Sequence, residues 1–65
     1  MESDRAQLSA LATTLDDLTR RITDVAGRYQ SSPREDVAHG LYEVERSLNT
    51  ASRHLAKVMR AMRTN

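Results

Sequence analysis

The stretch Ser31-Ser32-Pro33-Arg34-Glu35, "SSPRE", decides the architecture of this 65-residue chain, because one helical pattern stops at it and another starts. Ser32 is placed to cap a helix, Pro33 suits the first helical position, where its missing N–H is not needed, and Glu35 stands where a capping box is completed. The residue before a proline is pushed out of the helical region, so the preceding helix is expected to end by Gln30 or Ser31. A break this short joins antiparallel neighbours. The expected fold is therefore all-α and a single domain, a hairpin with helix 1 over about residues 4–30, a turn over about 31–33 and helix 2 over about 33–63. The competing form is one long helix kinked at Pro33, or an opened hairpin that swaps its second helix onto another subunit.

Both arms carry an unbroken heptad pattern. In the first, Leu8, Leu11, Leu15, Leu18, Ile22, Val25 and Tyr29 step alternately by three and four residues. With Leu8 as position a, the a row is Leu8, Leu15, Ile22 and Tyr29, and the d row is Leu11, Leu18 and Val25. In the second, Val37, Leu41, Val44, Leu48, Ala51, Leu55, Val58 and Met62 repeat the same steps, with Leu41, Leu48, Leu55 and Met62 at a. A strand would need period two, and neither arm has it. These residues are the expected interface seam. Gly27, close to the end of helix 1, is expected to weaken its last turn.

A chain this short buries little of its surface, and small folds lean on disulfides, metals or partner subunits. Cysteine is absent, which removes the disulfides and thiolate metal sites and leaves oligomerisation. The residues beside the seam agree. Position e of helix 1 (Ala12, Thr19, Ala26) and position g of helix 2 (Gly40, Ser47, His54, Ala61) are mostly small, where two-stranded coiled coils carry long charged side chains. These rows are the expected second interface. A homodimer closing into a four-helix bundle satisfies them most simply, while the alternative is that they are ordinary tolerant surface. In length and expected architecture the chain is similar to the small RNA-binding hairpin proteins of the Rop type, which form homodimeric four-helix bundles. It shares no residue motif with them, so the resemblance implies a fold and no function.

Charge adds a second theme. Net charge is only +1, and nine of the ten basic residues are Arg, a usage that fits a GC-rich bacterial genome. Asp16, Asp17 and Asp24 each stand four residues before an Arg (Arg20, Arg21, Arg28), the spacing of stabilising ion pairs on an exposed helix. Asp16 and Asp17 diverge by about 100° around the axis and make no acid–base couple. Helix 2 has its acids early and its bases late: Arg46, Arg53 and Arg60 share the outward position f, with Lys57 beside them. This stripe either complements the helix dipole or contacts phosphate or an acidic partner. With no Phe or Trp, base stacking has only Tyr29 and Tyr42 to use.

No chemistry-bearing constellation emerges. His39 stands between Glu35 and Glu43 at four-residue steps, but on outward positions away from a bundle core, so no metal is expected. His54 is either a pH-sensitive contact at the second interface or, the favoured reading, a partly exposed and inert side chain, and it forms no triad because Ser47 lies about 10 Å away along the axis. Met59 and Met62 soften the end of helix 2, as core filler or an adaptable contact. No glycine-rich phosphate loop is present. No apolar run exceeds three residues, so a membrane span is not expected, and "MESDRAQ" is too polar for a signal core. The expectation is a cytoplasmic, non-enzymatic module without cofactor that binds itself and another protein through helix faces. The alternative is nucleic-acid binding through Arg46, Arg53, Lys57 and Arg60.

Overall fold

The computed structural model describes residues 2–63, with side chains from residue 3 onward. They form two helices, α1 (Glu2–Tyr29) and α2 (Glu35–Arg63), packed side by side, with no strand among the described residues. The Cα trace extends over 51 × 15 × 9 Å, a layer one helix thick. Neither helix is long and apolar enough to cross a membrane.

The SSPRE turn folds the chain back, but its hydrogen bonds differ from a capping box. The Ser32 hydroxyl accepts from the Arg34 N–H at 3.1 Å and donates to the Tyr29 carbonyl at 2.8 Å. The Ser32 N–H, which a capping box would satisfy through Glu35, donates instead to the Tyr29 carbonyl at 3.2 Å. Ser32 thus serves the end of α1 and the start of α2 together, and regular α2 begins at Glu35, two residues later than expected. The Tyr42 hydroxyl donates to Gln30 Oε1 at 3.2 Å and ties α2 to the turn. Arg34 grips Asp36 with two bonds of 3.0 Å. That guanidinium, helped by the backbone N–H groups of Asp36 and Val37, holds the Asp36 carboxyl below the usual carboxylate range.

Helix α1 keeps its threonines satisfied locally. Thr13, Thr14, Thr19 and Thr23 each donate to the carbonyl four residues back, at 2.8 to 3.3 Å. Thr19 and Thr23 can therefore lie half-buried without leaving a hydroxyl unpaired. Of the α1 aspartates expected to pair with Arg, Asp17 alone is engaged among the described residues, with Arg20 at 3.1 Å and Arg21 at 3.7 Å. The expected pairing of Asp16 with Arg20 is replaced because residues three apart are neighbours as well as residues four apart. Arg28, expected opposite Asp24, has no ion pair among the described residues.

Gly27 does not interrupt α1, and a Cβ built there meets nothing within 4 Å. Gly27→Ala is therefore expected to stabilise the fold by about 0.5–1 kcal/mol through the lower entropy of the unfolded chain. A thermal melt followed by circular dichroism should shift upward by a few degrees. A lowered midpoint would mean that this turn is not helical in solution.

Candidate interaction surfaces

The contact between the helices uses the a rows, but not with the d rows beside them. Leu8, Leu15 and Ile22 of α1 and Leu41, Leu48, Leu55 and Met62 of α2 are half-buried. On one side of them the e rows also turn inward: Ala12, Thr19 and Ala26 from α1, and Ala38, Glu45, Ser52 and Met59 from α2. Ala26 and Ala38, equally far from the turn, are 0 % and 1 % exposed and are the buried hydrophobic core. The pair is rotated by about 50° from a symmetric a/d seam. The physical reason is size. Alanine against alanine lets two backbones approach closely next to a short turn, whereas the d-row Leu and Val would hold them apart.

This corrects one assignment from the sequence. Ala12, Thr19 and Ala26, expected to face a second interface, lie inside the hairpin itself. The other half of that expectation, Gly40, Ser47, His54 and Ala61, is exposed on the outer edge of α2. A Cβ built on Gly40 meets nothing within 4 Å.

The rotation leaves the d rows outside. Leu11 (50 %), Leu18 (44 %), Val44 (42 %) and Val58 (51 %) are exposed large hydrophobics, and Ala51 between them is exposed too. Val25 and Val37, nearest the turn, are half-buried, and Tyr29 at the end of the a row is exposed. In an antiparallel pair, rows bearing the same letter lie on the same side. The two d rows therefore form one continuous apolar face along the hairpin, bordered on the α2 side by the small g row. No large side chain is fully buried among the described residues, as follows from a layer in which nothing covers the seam from above.

The basic stripe of α2 is partly engaged. Arg46 binds both oxygens of Glu43, at 3.0 and 3.1 Å, and Arg53 donates to the Thr50 hydroxyl at 3.3 Å. Lys57 and Arg60 are exposed and carry no ion pair among the described residues. Beside Arg60 lies a feature that reading each helix separately missed. An open groove of about 510 Å³ at the end opposite the turn is lined by Arg5, Ala6 and Ser9 of α1 and by Ala56, Met59, Arg60 and Arg63 of α2. The signal was present in the sequence as equal distance from the turn, which sets Arg5 across from Met59.

His39 is exposed, and Glu43 is committed to Arg46. Among the described residues no three His, Asp or Glu side chains are grouped to hold a metal ion. The arrangement is one of surfaces: an apolar face on the d side, and a basic-rimmed groove on the e side. No family model, no curated protein and no solved structure matches this chain.

Proposed function

We propose that the chain is a non-enzymatic interaction module that self-associates through its d-row face into a four-helix bundle and offers the outer surfaces of that bundle to another protein, as a small regulator, adaptor or assembly factor. The observation that carries this reading is the exposure of Leu11, Leu18, Val44 and Val58 along one side of the hairpin. A strip of branched apolar side chains with heptad spacing is costly to leave in water and has the geometry of a helix-packing surface. A second copy laid on it by a two-fold axis would present the same strip in return, so one interface satisfies both chains. The g row of α2 supports close approach, because Gly40, Ser47 and Ala61 add little bulk at the edge. Closure also supplies the missing cover: a four-helix arrangement surrounds the a-row leucines that two helices leave half-exposed.

The test is the solution mass of the purified chain by light scattering across a dilution series, with circular dichroism on the same samples. The expected result is a helical dimer at high concentration that loses helix as it dissociates, since folding and association are then linked. A fully helical monomer of 7.3 kDa over the whole series would sink the proposal. A poorly helical monomer would sink it as well, and would assign the d face to a different protein, to be sought with the tagged chain as bait.

A further inference from the structure

The end of the hairpin opposite the turn gathers positive charge from both helices around an apolar floor. Arg5, Arg60 and Arg63 stand around the groove, and Ala6, Ala56 and Met59 supply its apolar lining, with Ser9 beside them. None of the three guanidiniums has an ion-pair partner among the described residues, in contrast to Arg20, Arg21, Arg34 and Arg46, each held by an acid. Three guanidiniums in one place, without an ion-pair partner among the described residues, make this end a favourable place for an anionic group.

We infer that this groove binds an amphiphilic oxyanion, a carboxylate or phosphate carrying a short apolar chain. Each half of the ligand is matched by something in the groove. The planar guanidinium fork suits the paired oxygens of a carboxylate or phosphate, and charge-assisted bonds of this kind are the stronger ones. The methionine thioether and two alanine methyls offer an adaptable apolar bed for a chain. The groove's volume of about 510 Å³ falls in the range of small-molecule sites. The arginines ring a pocket, not a line along a backbone, so the fit is to one anionic head and not to a polyanion.

The groove lies on the e side, the d face on the other, so the ligand and the second copy do not compete for surface. The two surfaces are thus separate, and the titration is run at a chain concentration at which circular dichroism shows the helices formed.

The experiment is a titration of the full chain followed by amide NMR at constant ionic strength, with octyl phosphate and octanoate as probes. Inorganic phosphate serves as the head alone and octyl glucoside as the uncharged tail. The expected result is saturable shifts centred on Ala6, Ala56 and Met59 for both amphiphilic anions, with each control weaker by at least about tenfold. The exposed double variant Arg60→Ala/Arg63→Ala should keep its helix by circular dichroism and bind octyl phosphate at least about tenfold more weakly. Equal binding of octyl glucoside, or binding unchanged in the double variant, would overturn the inference. So would Arg60/Arg63-dependent association with phosphatidylglycerol vesicles when soluble octyl phosphate fails to saturate, which would assign these arginines to a membrane surface.

Discussion

Lysine at both Leu18 and Val44 is expected to abolish the proposed self-association and leave a monomer. The two residues lie on the d face, one on each helix, 44 % and 42 % exposed in the single hairpin. Neither belongs to the a and e rows that turn inward between α1 and α2, so the substitutions act on the outer face directly and not on those rows. In a four-helix bundle closed over that face, each chain would instead bury two ammonium groups against the two of its copy. Unpaired charge taken out of water, with like charge opposite, is among the costliest changes an interface can suffer. A loss of about 4 kcal/mol corresponds to roughly a thousandfold weaker dimer. Light scattering should then read the mass of one chain, and helix content should fall with the lost cover. Lysine at Thr13 and Asn49, exposed positions off the d face, should leave the mass unchanged. A double variant at Leu18 and Val44 with the parental mass would show that the d face is not the interface.

The second large effect is expected at Ala26. Its side chain is 0 % exposed and Ala38, equally far from the turn, is 1 % exposed, so the helix–helix contact has no room to spare there. Ala26→Leu would wedge that contact apart and force the a-row leucines out of register with one another. Overpacking of this kind costs about 1–3 kcal/mol. For a domain of this size that lowers the melting midpoint by roughly 5–20 °C, measured by thermal circular dichroism. The matched substitution Ala10→Leu, on the exposed outer side of α1 away from both the e rows and the d face, adds the same bulk where nothing packs and should not lower the midpoint. Equal effects at the two positions would mean that the hairpin packs on a and d, with e turned outward.

Much of this architecture was legible in the sequence. Local rules governed it: the period of the apolar residues named two helices, and Pro33 with its neighbouring serines named the turn between them. The details of that turn were not, because Ser32 had more than one partner within reach and took the Tyr29 carbonyl. The ion pairs followed the same limit. Asp17 had Arg20 and Arg21 at two favourable spacings and engages both, while Asp16 has no ion pair among the described residues.

By itself the sequence determined that two amphipathic helices of nearly equal length are joined by a sharp turn, because periodicity, capping and proline geometry act within a few residues. Only the tertiary structure decided which flank of the a row turns inward. A stripe of leucines seven residues apart can be completed by the row three residues on or the row four residues on, and the spacing satisfies both. The choice depends on how near two backbones come, and the two fully buried side chains, Ala26 and Ala38, are small residues of the e rows. With the e rows turned inward, Leu11, Leu18, Val44 and Val58 stay outside and form the face on which the proposed association rests. The groove ringed by Arg5, Arg60 and Arg63 has the same origin, since residues nearly a whole chain apart become neighbours only when the hairpin closes.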